Sequence, residues 1–354
     1  MTANENSQGD YSGRSYLSAV EAAKYLRVSV VEIHELVRKK QLKVAISASG
    51  QMRFQLDDIR QFESRGSSNP STPHPKIDKI SEMVVSGTRQ KVVCGSSQDM
   101  SMLEDNSVHL MITSPPYFDA KMYSRSHVEG NLGDIHEMKT WFREIGKVWA
   151  EVFRVLQPGR KAFINIMNLP VRDTTEGFRS LNLVGKTVDV CQEIGFVFKR
   201  DIVWSKTNSV RAHFGSYPYP GGILINNSHE FILEFEKPGS STTKYTHVST
   251  EQRERSKLTK EFWLSIKNSD VWVIAPEGSG DNRTHVAPFP RELPERLIRA
   301  FSYVGETVLD PFMGSGTTLI VAADLERNGI GFEIVDEIAE DAIKSIGFYQ
   351  TKLC

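Results

Sequence analysis

Thr113-Ser114-Pro115-Pro116-Tyr117 closes an apolar run, Val108-His109-Leu110-Met111-Ile112, and carries the most specific chemistry in the chain. Its two prolines fix φ and remove backbone donors, so neighbouring carbonyls stay free as acceptors. Ser114 adds a hydroxyl and Tyr117 a flat face for a ring. A strand-end turn of that composition can hold a planar amino group. Far downstream, Val308-Leu309-Asp310-Pro311-Phe312-Met313-Gly314-Ser315-Gly316 is a glycine-rich turn between a second strand and a helix starting near Thr317. Glycines there let the backbone approach a ligand closely. Glu333 ends the next strand, where an acceptor for ribose hydroxyls is expected. No Gly-Lys-Ser/Thr follows the glycines, so the turn does not read as a phosphate cradle.

Holding these groups together requires a sheet. Apolar strands are expected at Lys91–Cys94, Val108–Ile112, Lys161–Ile166, Lys199–Ser205, His229–Phe235, Thr307–Leu309 and Gly329–Glu333. Their alternation with helical stretches predicts a doubly wound α/β (Rossmann-like) domain over 79–354. In such a sheet the strands ending at Ser114 and Asp310 lie side by side, with their C-terminal ends at the topological switch point where ligands bind. Residues 65–78 contain a Pro/Ser-rich run, Ser67 to Pro75, that cannot build a core and reads as a linker. Before it, 16–64 reads as helix, tight turn, helix, hairpin, helix. Ser18 and Glu21 form a capping box for a helix over Ala19–Leu26, and a second helix is expected over Val30–Lys40. Residues 1–15 are a polar tail expected to be disordered.

The chain has 354 residues and a formal net charge of -1, so a nucleic-acid surface must be a local basic face. Cys94, Cys191 and Cys354 show neither metal-ligand spacing nor a disulfide framework, and no metal is expected. No segment approaches the length of a membrane span, and the start lacks a signal-peptide core, which predicts a cytoplasmic protein without membrane partners.

The two motifs and their order resemble the permuted beta group of DNA amino-methyltransferases. Supporting segments are Arg154-Val155-Leu156-Gln157-Pro158-Gly159, Ile202-Val203-Trp204-Ser205-Lys206, His229-Glu230-Phe231-Ile232 with Lys237, and His285-Val286-Ala287-Pro288-Phe289-Pro290. The resemblance implies S-adenosylmethionine (SAM) as cofactor, held by Phe289, Pro290, Asp310, Pro311, Phe312, Gly314, Ser315, Gly316 and Glu333. Alternatives are a core aromatic for Phe289 and a solvated strand end for Glu333. Where the family carries Gly-Asp before the catalytic strand, this chain has Cys94-Gly95-Ser96, with Asp99 as the nearest acidic substitute. Ser114, Pro115, Pro116 and Tyr117 are the implied catalytic residues. If Ser114 Oγ and the Pro115 carbonyl accept the two amino hydrogens, the nitrogen can pyramidalise and attack the sulfonium methyl in line. The base must first flip out of the duplex and stack on Tyr117.

Within this resemblance, serine at the head of the turn implies N4 of cytosine, with N6 of adenine as the alternative. Neither Cys94 nor Cys191 stands beside a proline, so C5-cytosine chemistry, which needs a cysteine nucleophile, is not expected. The N-terminal module resembles excisionase and MerR-like winged helix-turn-helix domains through Tyr16-Leu17-Ser18, Ala22-Ala23 and Gly50-Gln51-Met52-Arg53-Phe54. Lys39, Lys40, Lys43 and Arg53 are its expected DNA contacts, and a solvated basic face is the alternative. Residues 238–270 occupy the interval where the beta group carries its target-recognition region, and Arg255 and Lys257 read as phosphate contacts, with a solvated basic helix as the alternative. The expected partner is double-stranded DNA, in a bacterial or archaeal restriction-modification setting that allows a cognate endonuclease and a homodimer. The rival from another class is a DNA-binding regulator with a vestigial methyltransferase domain.

Overall fold

The computed structural model describes residues 15–26, 33, 36–37, 41–46, 52–65, 79–118, 128, 130–173, 177–207, 225, 227–239, 245–276 and 289–352. Most of the tail, most of the linker and most of the expected second helix, with Lys39 and Lys40, lie outside them.

In the N-terminal module, strand β1 (Tyr16–Leu17) pairs with β3 (Met52–Gln55), and β3 pairs with β2 (Ala45–Ile46). Helix α1 (Ala19–Leu26) opens on the expected capping box: Ser18 N donates to Glu21 Oε2 at 2.8 Å, and Glu21 N donates to Ser18 Oγ at 3.3 Å. Helix α2 (Leu56–Arg65) closes the module, and Leu17, Ala22, Ile33, Phe54 and Ile59 form its core. β1 has no signature in the sequence: two residues before a capping box carry no periodicity of their own.

The larger unit is a nine-stranded sheet built from β4 (Lys79–Val85), β5 (Thr88–Cys94), β6 (Val108–Thr113), β7 (Leu156–Ile166), β10 (Val197–Lys206), β11 (His229–Glu236), β12 (Val271–Ile274), β13 (Thr307–Asp310) and β14 (Asn328–Glu333). Their order across the sheet is β12-β10-β11-β7-β6-β13-β14-β5-β4. A separate hairpin, β8 (Leu169–Asp173) with β9 (Gly177–Leu181), follows β7. The strand ending at Ser114 and the strand ending at Asp310 are hydrogen-bonded neighbours, Val308 level with Leu110, as the doubly wound reading expects. From β6 the chain continues to β7 on one side, and from β13 to β14 on the other, so the switch point falls between them.

Only β4 and β11 run antiparallel to the rest. β6 is buried on both faces, which is why its sequence is continuously apolar rather than alternating. One face is covered by α3 (Met138–Val155) and α4 (Leu183–Ile194), whose Trp141, Ile145, Val148, Trp149 and Val152 fill the largest core cluster at helical spacing. The other is covered by α7 (Glu292–Phe301), α8 (Thr317–Asp324) and α9 (Asp336–Lys352). Two short helices, α5 (Thr250–Arg255) and α6 (Lys260–Lys267), lie between β11 and β12.

Among the described residues no helix is long and apolar enough to cross a membrane.

Candidate active site at the switch point

The C-terminal ends of β5, β6, β13 and β14 open into a cleft of about 960 Å³, part of it exposed to solvent. Its lining brings the two sequence motifs together. Ser114, Pro115, Pro116 and Tyr117 come from the turn after β6, and Pro311, Phe312, Met313, Gly314 and Ser315 from the turn after β13. Phe289 lines it before α7, and Glu333 lines it at the end of β14. Pro290 is buried just behind Phe289 and Gly316 behind Ser315, neither on the lining.

Backbone conformation shapes the turn after β13. Gly314 and Gly316 have φ of +51° and +81°, a region that costs residues with a Cβ. A Cβ on Gly316 would also meet Ile346 Cδ1 at 3.1 Å, so α8 starts tight against α9. Gly331 of β14 permits a close approach of another kind. A Cβ there would sit 2.4 Å from Met313 Sδ, so the strand passes directly beneath the loop. Met313 N donates to Phe332 O at 3.0 Å and Gly95 N to Glu333 O at 2.9 Å, tying three strand ends together.

Glu333 is desolvated enough to push its carboxyl up to about 7, although backbone N–H groups of Val335, Gly314 and Ile334 pull the other way. Val335 N donates to Oε1 at 2.9 Å. An ionised carboxylate offers about four lone-pair sites. Three N–H donors therefore leave room for a further donor, which fits a ribose hydroxyl arriving in the cleft.

Asp310 has a different place from the one its motif suggests. It is 1% exposed and does not line the cleft. Its Oδ1 accepts from Thr113 Oγ1 at 2.7 Å and Phe312 N at 3.1 Å, and its Oδ2 accepts from Thr318 Oγ1 at 2.6 Å. Burial pushes its pKa up to about 6 against these hydrogen bonds. Asp310 thus braces the residue before Ser114 against the first turn of α8, coupling the two halves of the site. Asp99 accepts from Ser101 N at 2.9 Å and is not on the lining, where the family's acidic position is instead taken by Gly95, Ser96 and Ser97.

Gly130, Asn131 and Leu132 also line the cleft, held by a short 3-10 turn in which Gly133 N donates to Asn131 Oδ1 at 3.0 Å. An Asn-x-Gly turn of this kind is a sequence signal that motif reading passed over.

The expected DNA contacts Arg255 and Lys257 are not brought to this cleft. Glu236 ends β11 and Val271 begins β12 at the N-terminal edge of the parallel strands, so 238–270 leaves and returns at the opposite end of the sheet. There Arg255 pairs with Glu326 at 2.6 Å, Lys257 with Glu254 at 2.5 Å, and Gln252 Nε2 donates to Val304 O at 3.0 Å. At the same end Arg160 and Glu306, each 2% exposed or less, form an ion pair. Glu306 also accepts from Tyr303 N at 2.7 Å and meets His247 Nε2 at 3.0 Å. His109, His247 and Glu306 are close enough to hold a metal ion, but the Arg160 guanidinium already balances the carboxylate. In the N-terminal module Lys43 is exposed and lies 3.8 Å from Asp58, and Arg53 is half-buried on β3.

Residues 108–344 match the model of the N6/N4 DNA methylase family, and residues 16–67 match a helix-turn-helix domain. The chain belongs to the DNA methylase family. It is 33% identical over 296 residues to the type II methyltransferase M.MjaI of Methanocaldococcus jannaschii, covering 75% of this chain and 94% of that protein. It is 40% identical over 294 residues to the type II methyltransferase M.BglI of Bacillus subtilis, covering 66% and 78%. Among solved structures it is similar to TTHA0409 of Thermus thermophilus in complex with S-adenosyl-L-methionine, at 33% identity and a TM-score of 0.58, covering 73% and 93%. The cytosine-N4-specific PvuII DNA methyltransferase shares the fold at 18% identity and a TM-score of 0.53, covering 75% and 92%.

Proposed function

We propose that this DNA methylase transfers a methyl group from SAM to the exocyclic N4 of cytosine in double-stranded DNA. The observation that carries the reading is Ser114: it heads the turn, lines the cleft and faces the same opening as the glycine turn and Glu333. The glycine turn offers backbone rather than cations, and Glu333 keeps an acceptor for ribose hydroxyls, a donor set suited to a nucleoside without phosphates. Bound SAM supplies a methyl group on a positively charged sulfur.

The chain's own residues do the rest by positioning. Ser114 Oγ and the Pro115 carbonyl accept the two amino hydrogens, which draws the nitrogen lone pair out of conjugation and aims it at the methyl carbon. The glycine turn and Glu333 would hold SAM so that it would give its methyl carbon to this nitrogen and keep the electron pair of the broken bond on sulfur, while one amino proton would leave to solvent. Tyr117 stacks on the flipped base, and Pro116 stiffens the turn. The brace through Asp310 keeps the turn and the cofactor loop in register.

Because 245–270 lies at the opposite end of the sheet, contacts to DNA around the target fall to connectors leaving the cleft end. One of them runs from Lys206 to His229. The N-terminal helix-turn-helix supplies further grip through its basic residues. The likeness to type II methyltransferases supports a restriction-modification setting, in which the proposed partner is a cognate endonuclease that cuts unmethylated sites.

The test is nucleoside mass spectrometry on DNA from cells expressing the protein, beside an empty-vector control. N4-methylcytosine is the expected product. N6-methyladenine would keep the mechanism and overturn the base assignment, and no new methylated base would overturn both.

A further inference from the structure

The sheet register sets a row of polar side chains at the cleft end, beyond the residues that line the cleft. Thr113 is level with Ile164, so Asn165 of β7 is the strand neighbour of Ser114. Glu230, on the next strand β11, is paired with Trp204 of β10, and Lys206 ends β10. Glu230 is 5% exposed. Its Oε2 accepts from Tyr117 Oη at 2.8 Å and from Asn165 Nδ2 at 2.6 Å, and its Oε1 pairs with Lys206 Nζ. Lys206 in turn lies 4.9 Å from the centre of the Trp204 ring, whose Nε1 donates to Ile274 O at 2.9 Å.

A buried carboxylate is costly and needs its partners. Lys206 alone would balance its charge, yet Glu230 directs its other oxygen at the one residue of the catalytic turn that offers an aromatic ring. A tyrosine has two side-chain torsions: a hydrogen bond at Oη, which lies on the χ2 axis, pins the direction of the ring through χ1, and the preference of the phenolic O–H for the ring plane biases χ2. An anchored ring is a preplaced platform, which is worth most where catalysis rests on positioning.

We propose that Glu230 is a positioning residue for methyl transfer: through the Tyr117 hydroxyl it anchors the ring at the place that receives the target base. Asn165 and Lys206 keep the carboxylate aimed and charge-balanced. The proposal rests on the reading that Tyr117 stacks on the flipped base.

The test uses the full-length protein, plasmid DNA bearing its sites and SAM in single-turnover methyl transfer, with Tyr117→Phe, Glu230→Gln and the double variant. Tyr117→Phe keeps the ring and leaves the Glu230–Lys206–Asn165 contacts in place. The expected result is a loss of about tenfold in transfer rate for each single variant, as small misplacements of a reacting group cause, with SAM affinity within about twofold of wild type. The double variant should be no slower than the slower single one, because both changes break one linkage. A Tyr117→Phe rate equal to wild type overturns the proposal, even if Glu230→Gln fails to fold. So does an additive double variant, which would mean that the carboxylate acts apart from the tyrosine. A wild-type protein that transfers no methyl group to DNA overturns the parent reading and this proposal together, whereas full activity in Tyr117→Phe removes this proposal alone.

Discussion

The two ends of the nine-stranded sheet use buried charge in opposite ways. At the N-terminal end, Arg160, Glu306 and His247 face one another, and the 245–270 segment is fastened there by Arg255–Glu326 and by Gln252 on Val304. At the cleft end, Glu333 is desolvated yet keeps acceptor capacity, the glycine turn is held at positive φ, and Ser114 and Tyr117 face an opening. The ion-paired network at the N-terminal end, in which Arg160 Nη1 alone is buried without a hydrogen-bond partner among the described residues, fixes the fold; acceptors left open at a cleft await a ligand. Buried polar groups alone therefore do not mark a site, and the direction in which their remaining capacity points does.

The sharpest way to break this comparison is to damage each end separately. Glu306→Gln leaves Arg160 charged and unpaired in the core, and should cost about 3–5 kcal/mol of stability by chemical denaturation. SAM affinity of the folded fraction should not change. A loss of SAM binding without a loss of stability would show that the far end belongs to the site after all.

Ser114→Ala removes one amino-group acceptor at the cleft end. It should lower kcat by about 10²–10³-fold while leaving stability and SAM affinity near wild type. Steady-state kinetics beside calorimetric SAM titration separates the two.

Glu333 sharpens the comparison through pH. Its carboxyl sits at about 7 in the free protein, and a ribose hydroxyl bonds the ionised form more strongly. Binding therefore favours loss of the proton, and SAM affinity should fall as pH drops below about 7, by up to about tenfold per unit. Glu333→Gln should bind more weakly at pH 8 and lose that dependence. A flat wild-type profile would remove Glu333 from the cofactor site.

The smallest expected effect belongs to Arg255→Ala with Lys257→Ala. Both side chains pair with neighbouring acids at the end away from the cleft. DNA affinity should change by less than about threefold, since exposed pairs of this kind contribute little. A large fall, with a shallower salt dependence, would restore 238–270 as a DNA-contacting segment.

What could be read in the sequence follows from where its signals are local. The turn after β6 and the turn after β13 each carry their chemistry within a few residues, and parallel-sheet logic alone predicts that they meet. The end of the sheet on which a connector emerges is not local information. It depends on β11 running antiparallel, which the apolar run His229–Phe235 does not encode. Asp310 was legible as part of the motif, but not the inward turn of its carboxylate towards Thr113, 197 residues earlier. The Tyr117–Glu230 contact spans 113 residues and lacks any spacing rule. Edge strands β4 and β12 escaped because they are short or half-exposed, with Val271 and Val273 facing solvent.

The central claim is that the two distant motifs form one site. A crystal structure of the protein with sinefungin, a SAM analogue carrying an amine in place of the sulfonium methyl, tests it most directly. The ribose hydroxyls should lie against Glu333, with the amine end pointing at the Ser114-Pro115 turn. An analogue bound elsewhere, or seated with its amine directed away from Ser114, would contradict the account.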